Sequence, residues 1–532
     1  MRRDWDWDWK YVAAIAALTI VAMVRVASTH RVFSEVLDEP AHLAAGFEWL
    51  KGRYVIDASH PPLARILGAI PLWLADYPLP ETREMVKAGN ELLYHGDRYL
   101  KTLARARMGN LLLFAVAIAA TVEWARRAFS TTVAVVSAAL LTTLPPVLGH
   151  AGFITTDLAA LAAIPVALLA LDRYLESRTR GRAAVLGVAL GFGLLTKFSF
   201  LVYFPPCALL LALGRRRRPE VKGIALALGV AALLVWAGYR FDFRTPNAYH
   251  PHHAAHVFHV AAPKPLQQFA DWAAVNLPIP APALAVGLGM LQAHNQEGHN
   301  AYLFGEMRMN GWWYYFPVVF FYKTPLPYQL LAAWGALLIV LSRDRLRLAY
   351  LLCAAAVMGV AMTSDINIGI RHILPLYAPL SIVAAYGVVE IWKRARDAFG
   401  RTILAALLAW LFAGVALDHP DYLAWFNEAA QPNPAHIAVD SNLDWGQDTL
   451  RLEKAVRELK IDHIYVDVMT NMRLDKFGIP VEGFAPAVKP TGWVAVSETP
   501  YTFHTATGSY GWLSTYRPVR RIGDSIRLYY FP

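Results

Sequence analysis

The sequence predicts a mainly α-helical, polytopic membrane bundle of about eleven transmembrane helices, with a small α/β domain after it. Three observations carry this. Of 532 residues, 56% are hydrophobic and 17% are charged, whereas a typical soluble domain is about 25% charged. The apolar residues fall into long separate runs, the mark of repeated membrane crossings rather than of one core. The basic residues gather between those runs in a regular alternation, as the positive-inside rule requires.

The runs are 11–27, 109–125, 131–148, 157–171, 183–196, 198–213, 222–239, 318–341, 348–363, 372–391 and 402–417. Arg2 and Arg3 before the first run imitate a signal peptide, but Val26-Ala27-Ser28 is a poor cleavage site and many runs follow, so it reads as an uncleaved first helix. Trp5, Trp7 and Trp9 alternate with Asp4, Asp6 and Asp8, a pattern suited to an interfacial aromatic belt.

With the N-terminus cytoplasmic, the connections 126–130, 172–182, 214–222, 342–347 and 392–401 are cytoplasmic too, and all are arginine-rich. The short opposite connections hold only Lys197 and Arg371 between them. Segments 28–108, 240–317 and 418–532 then lie outside the cytoplasm. The chain divides into a transmembrane domain, 1–417, with outer loops 28–108 and 240–317, and a soluble extracytoplasmic α/β domain, 418–532. In the latter, His436 to Asp440, His463 to Val468, Trp493 to Ser497 and Ile526 to Phe531 read as strands, and Thr449 to Lys460 as a helix. Leu63 to Ala75, bounded by prolines, is too short to span and suits a segment lying flat in the interface.

This placement makes the net charge of +10 an orientation signal rather than a nucleic-acid footprint. Cys207 and Cys353 sit inside apolar runs and form no disulfide framework.

Ionisable side chains near a membrane are costly and mark sites. Asp38-Glu39-Pro40-Ala41-His42 reads as a helix start, with Glu39 as N-cap and Pro40 at N1. Asp38 then projects from non-helical backbone, where a carboxylate can act as general base. His60, in Ser59-His60-Pro61-Pro62, is placed to face a lipid phosphate or to sit in a rigid turn. Lys101, Arg105 and Arg107 run against the charge rule at the outer end of the second span, which favours a phosphate contact. Asp157 in Thr155-Thr156-Asp157 reads equally as an N-cap and as a second acid beside Asp38 that binds sugar hydroxyls or a metal. Glu306 precedes the aromatic cluster 312–316, suited to anchoring or to stacking on sugar and isoprenoid. Lys323 follows it, beside a span where lysines snorkel. Arg371, next to His372, is the lone arginine of its short loop and suits a phosphate. His250, His252, His253, His256 and His259 crowd one loop; His252 and His256 have zinc-ligand spacing, but no cysteine accompanies them, and a solvated cluster is the preferred reading.

In order along the chain, DEPAHLAAGFEWLKGRY, SHPPLARILGAIPL, TTDLA, HNQEGHNAYLFGE, GWWYYFPVVFFYKTPLP, NIGIRHILPLY and DSNLDWGQD resemble the glycosyltransferase C superfamily. The likeness is to bacterial relatives of protein O-mannosyltransferases and lipid A aminoarabinose transferases. The resemblance implies an inverting hexosyltransferase in the cytoplasmic (inner) membrane with its active site facing the periplasm. It would move a sugar from a polyprenyl-phosphate carrier to an acceptor glycan, lipid or protein, with a divalent metal left open as cofactor. By the same resemblance Asp38 is the base, Asp157 the second-loop acid, and Arg105 and Arg371 hold the lipid phosphate, while His60 stands where the aminoarabinose transferases have lysine. Glu39, His42, Glu306, Lys323 and His372 complete the expected substrate contacts. Two other classes make different demands on the sequence. A transporter or flippase predicts internal repeats and mid-membrane polar residues, and neither is evident. A scaffold recruiting partners through 418–532 would use Asp440, Asp444, Trp445 and Asp448 to bind a sugar or ion, unless Asp444 only caps a helix near Gln447.

Overall fold

The computed structural model describes residues 8–52, 57–248, 264–395 and 398–532. Trp5, Trp7 and the histidines His250, His252, His253, His256 and His259 lie outside the described residues. α1 (Trp9–Thr29) leads to three short helices, α2 (Glu39–Leu50), α3 (Leu63–Leu74) and α4 (Met85–Leu93), and then to the long α5 (Tyr99–Ala128). α6 (Thr131–Leu141) and α7 (Pro145–Ala151) form a pair bent by 67°. α8 (Asp157–Glu176), α9 (Arg180–Thr196), α10 (Phe200–Arg215) and α11 (Val221–Gly238) follow. β1 (Phe243–Arg244) pairs with β2 (Ile279–Pro280), enclosing α12 (Lys264–Asn276), and α13 (Pro282–Glu297) leads into the hairpin β3 (Ala301–Leu303) and β4 (Glu306–Arg308). α14 (Tyr315–Lys323) and α15 (Leu326–Ser342) are bent by 115°, and α16 (Arg345–Ala361), α17 (Tyr377–Arg394) and α18 (Ala398–Leu417) complete the bundle.

Every one of the apolar runs is therefore a helix or a bent pair. Among the described residues six helices are long and apolar enough to cross a membrane, or eight if each bent pair is one span. α9, α10 and α16, at 16 or 17 residues, fall short of the ~20 residues a perpendicular crossing takes. The molecule is a multi-pass membrane protein with α8 and α17 at its centre. The apolar windows of the spans that contain them are 83% and 89% buried, against 17% for α1, α11 and α18, which keep apolar faces for lipid.

Two ends of the bundle differ in chemistry. At one, Arg215 makes a bidentate pair with Asp172 (2.6 Å each), Arg173 and Arg126 bind Glu123 (3.0 and 2.9 Å), and Arg127 binds Glu176. So part of the arginine that reads as orientation signal also locks helix ends together. Asp157 opens α8 at the other end, roughly 22 Å away at 1.5 Å per residue.

At that other end α3 and α4 pack on α5, and α2 packs on α3 and α4. Gly46 lets α2 reach the backbone of α3: a Cβ there would stand 2.1 Å from the Arg65 carbonyl oxygen. Arg107 of α5 holds the entry to α2. It is fully buried, meets both Glu39 oxygens (Nε–Oε1 2.9 Å, Nη2–Oε2 2.7 Å), and donates to the carbonyls of His30, Phe33 and Ser34. Glu39 also accepts from the backbone N–H groups of Val36 and Ile154. Two sequence expectations change here. The helix begins at Glu39, so Asp38 and not Glu39 holds the N-cap position, and Asp38 has helical φ/ψ (−84°, −20°) and caps nothing with its side chain.

After α18 the chain forms α19 (Thr449–Glu458), α20 (Glu498–Ala506) and a five-stranded mixed sheet of order β6-β5-β7-β9-β8. β5 (Ile464–Asp467) runs parallel to β6 (Val481–Gly483) and β7 (Gly492–Ser497); β9 (Ile526–Phe531) is antiparallel to β7 and to β8 (Arg520–Ile522). The strand expected over 436–440 is absent. Pro434 starts a helical turn through Ile437, and Ile437, Ala438 and Val439 are buried in the bundle core rather than in the sheet.

Removing one partner of a buried ion pair strands the other charge, a cost of about 3–5 kcal/mol. Glu39→Gln is expected to lower the melting temperature accordingly in detergent; a variant that melts with the wild type would show that the Arg107 strut does not fix this region.

Candidate active site

Four segments distant in sequence bring charged groups together. Asp38 comes from the N-cap position of α2, Asp157 from the first residue of α8, and Lys197 from the break between α9 and α10. Arg371 comes from the 3-10 turn Ile370–Leu376. Arg371 Nη1 lies 2.7 Å from Asp38 Oδ2 and 3.8 Å from Asp157 Oδ2. Lys197 Nζ donates to Asp157 Oδ1. The two acids differ in access: the Asp38 side chain is 38% exposed and that of Asp157 2%. Asp157 is thus wholly engaged by cations, whereas Asp38 faces open space. It is not the N-cap of α8, since Thr156 holds that position.

Arg371 has donors to spare. Its Nε is buried and without a hydrogen-bond partner. Its guanidinium lies 4.3 Å over the Trp445 ring, a desolvated cation–π contact. The loop before it is clipped by the segment 440–448. Ser441 Oγ donates to the Ile368 carbonyl (2.7 Å), and the Ile370 N–H donates to Asn442 Oδ1 (2.9 Å). Gly369 admits this contact, since a Cβ there would be 2.2 Å from Ser441 Oγ. Asn442 is held in turn by the Tyr315 hydroxyl (2.9 Å). Lys323 Nζ caps the carbonyls of Asn442 (2.6 Å), Leu423 (2.7 Å) and Trp425.

Beside the acids lies a second group. Arg65, buried on α3, donates to His42 Nδ1 (3.1 Å), to the carbonyls of Asp57 and His60, and to the Asp57 carboxylate. The rings of His42 and His60 meet edge to face at 5.0 Å. Burial, with Arg65 adding to it, pushes His42 down to about 4 and His60 well below the usual imidazole range, so both are neutral at pH 7. Burial pushes Asp57 up, but Arg65, His60 and the hydrogen bonds from Ser59 together outweigh it and leave the carboxyl below the usual carboxylate range.

The expected site residues therefore separate. Asp38, Asp157 and Arg371 converge, and His42 and His60 stand within electrostatic reach of Asp157 or of its partner Lys197. His372 adjoins Arg371 and accepts, through its carbonyl, from the Tyr203 hydroxyl (3.0 Å). Glu39 and Lys323, expected as substrate contacts, are buried with their polar atoms spent on Arg107 and on three carbonyls. Glu306 sits exposed on the β3–β4 hairpin with Arg308 (3.0 Å), outside the charged cluster. Arg105 lines a separate cavity. Among the described residues no three His, Cys, Asp or Glu side chains come together as a metal cage.

Arg65, Asp57 and Lys197 escaped the sequence reading, as did Asp440 in its present place, within electrostatic reach of Arg371 and Asp38. Lys197 carried the same signal as Arg371, a lone cation in a short connection on that side. Of the DSNLDWGQD acids, Asp444 accepts from the Thr499 N–H (2.9 Å) in the first turn of α20, and Asp448 from Ser525 Oγ (2.8 Å) and Arg451 (2.9 Å). Asp444 caps no helix near Gln447; Asp448 holds the N-cap position of α19 but makes no capping bond with its side chain.

The family model of dolichyl-phosphate-mannose-protein mannosyltransferases matches residues 100–239. A lipid A galacturonosyltransferase, RgtD of Rhizobium johnstonii, is 32% identical over 105 residues, which is 20% of this chain and 22% of that protein; the match spans about a fifth of the relative's length. The structure of ArnT from Cupriavidus metallidurans bound to undecaprenyl phosphate superposes over 97% of both chains with a TM-score of 0.52 at 13% identity. Its apo state gives the same score over 97% of this chain and 98% of that one. The class is a multi-pass membrane protein with this helical bundle and a charged cluster at one end. In fold the chain is similar to the ArnT structures, and over residues 100–239 its sequence matches the mannosyltransferase family model.

Burial pushes Asp440 and Asp448 up to about 6 and Asp444 up to about 7. Folded values above the unfolded 3.8 mean that these three carboxyls bind more protons in the folded state, so their contribution to stability is greatest below that value and falls as pH rises through 6 to 7. Thermal unfolding is expected to show this fall, with a smaller slope in Asp444→Asn; an unchanged slope would remove Asp444 from the effect.

Proposed function

We propose that this protein transfers a sugar, with inversion, from a polyprenyl-phosphate carrier to an acceptor hydroxyl at the outer face of the membrane, through a bundle of eleven crossings with the N-terminus inside. The observation that carries the reading is Arg371: a guanidinium tied to Asp38 and Asp157 yet left with a buried, unspent Nε–H.

The chemistry follows from the parts. A polyprenyl donor is a lipid, so its sugar phosphate is met where the spans end, and Asp38 and Arg371 both sit at such an end. The acceptor oxygen attacks the anomeric carbon and its proton passes to Asp38, the one carboxylate of the converging pair with open access. The bond from that carbon to the phosphate oxygen breaks and the electron pair leaves with the phosphate, whose growing negative charge Arg371 neutralises with the donors it does not spend on the acids. Asp157 and Lys197 are positioning residues: Asp157 holds Arg371 from behind, and Lys197 pairs with that acid and keeps it in place. Neutral His42 and His60 offer hydrogen bonds to sugar hydroxyls without adding charge. The arginine-rich connections at the opposite end support the assignment of this end to the periplasmic side of the cytoplasmic membrane. Glycan, lipid and protein acceptors share the attacking hydroxyl this scheme needs. The fifth-length match to a lipid A galacturonosyltransferase supports a glycolipid as the first acceptor to try.

The test is transfer from polyprenyl-phosphate sugars by the full chain in proteoliposomes. Asp38→Asn is expected to lower kcat by about 10²–10⁴-fold in a chain that still folds, since Asp157 continues to face Arg371, and Arg371→Gln by about 10²–10³-fold. Wild-type turnover in Asp38→Asn would remove the base, and a wild-type protein that discharges no polyprenyl-phosphate sugar would overturn the function.

A further inference from the structure

Arg105, set apart from the charged cluster, belongs to a different arrangement. Where α1 ends and α5 begins, Arg31, Lys101 and Arg105 surround a cavity of about 530 Å³ whose wall also holds His30, Ala27 and Met108. All three cations are exposed, and among the described residues none makes an ion pair with a carboxylate. The nearby acids are taken: Glu39 by Arg107, and Glu35 by the Tyr99 hydroxyl. Three like charges held together repel one another unless an anion joins them.

His30 adds an independent sign. It is 2% exposed, and its Nε2 is buried with no hydrogen-bond partner. Burial, with the Arg107 charge beside it, pushes it down to about 3, so the ring is neutral at pH 7 and adds no repulsion while leaving a polar atom unsatisfied. Buried polar atoms rarely stay unpaired in a native protein.

The cavity is also graded. Lys101 and Arg105 lie on the first turns of α5 and Arg31 just past α1. Ala27 and Met108 lie further into the bundle along the same two helices. A free anion has no use for that apolar floor, whereas a lipid with a phosphate at the headgroup and a chain below it matches both levels. We propose that this cavity binds the phosphate of an anionic lipid, in the leaflet at the same end of the bundle as Asp38, at a place separate from Asp38 and Arg371. Arg107 is the partition, since all its N–H groups are spent on Glu39 and the 30–34 carbonyls. The proposal does not depend on the activity proposed above. A lipid seated here would brace the α1–α5 junction from which Arg107 holds Glu39, and so the position of Asp38.

The full chain, delipidated in a neutral detergent, would be titrated with phosphatidylglycerol and with phosphatidylcholine of matched chains, and bound lipid counted by native mass spectrometry. Phosphatidylglycerol is expected to bind in preference, with Arg105→Gln weakening it about tenfold, the loss of one charge-assisted contact. Arg31→Gln, Lys101→Gln and Arg105→Gln together are expected to abolish the preference. The three side chains are exposed, so melting temperatures in lipid-free detergent should match the wild type; if the triple variant fails to fold, the single variant decides. Equal binding of the two lipids by the wild type, or undiminished phosphatidylglycerol binding by Arg105→Gln and by the triple variant where it folds, would overturn the proposal. Displacement of the lipid by millimolar inorganic phosphate would assign the cavity to a free anion and overturn the lipid.

Discussion

The contact of Arg371 with Asp38 and Asp157 is the constraint on which the arrangement at this end of the bundle rests. An arginine brought to the rim of an apolar bundle is stable only with its charge compensated, and here the compensation comes from helices that enter the site separately. Satisfying one guanidinium thereby fixes the start of α2 relative to α8, and both relative to the loop before α17. The planar fork can meet two acids at once while its Nε side stays unspent; a lysine at this position would offer a point charge and no such division.

That guanidinium is itself held from the C-terminal side. The segment 440–448 lies between the bundle and the sheet, and nearly all its polar atoms are committed. Ser441 and Asn442 grip the 368–370 backbone, Trp445 lies under Arg371, and Asp444 and Asp448 reach Thr499 at the start of α20 and Ser525 just before β9. The region after residue 418 is thus coupled to the charged cluster by short, buried bonds.

What the sequence disclosed follows the range of the interactions involved. Helix positions come from apolar runs, a property of neighbouring residues, and all those runs are helical. Arg371 was visible because a cation in a short apolar-flanked connection is anomalous by itself. Lys197 had the same signature but passed as a harmless exception to the charge alternation. Arg65 was hidden inside an apolar helix, where only its three-dimensional neighbours His42, Asp57 and His60 explain it. Glu39 and Lys323 were recognised as unusual, yet where their side chains point depends on Arg107 and on the carbonyls of 423–442, contacts that no local pattern encodes. The strand misread at 436–440 has the same origin, since a short apolar segment does not say whether it packs on a sheet or a bundle.

The placement of acids on α8 explains why this helix can serve as the fixed reference of the site. Asp157 stands at its N-terminal end, where the helix dipole favours a negative charge, whereas Asp172 and Glu176 stand at the C-terminal end, where it does not. The unfavourable end is the one with the densest arginine pairing, from Arg215 and Arg127. The favourable end needs less, and there Lys197 and Arg371 suffice. With both ends pinned by charge, and most of the length between them buried, α8 has little freedom to slide along its axis. Asp157 is then a stationary anchor for Arg371. Asp38, joined to the same guanidinium but with its side chain open to solvent, is the member of the cluster left free to exchange one partner for another.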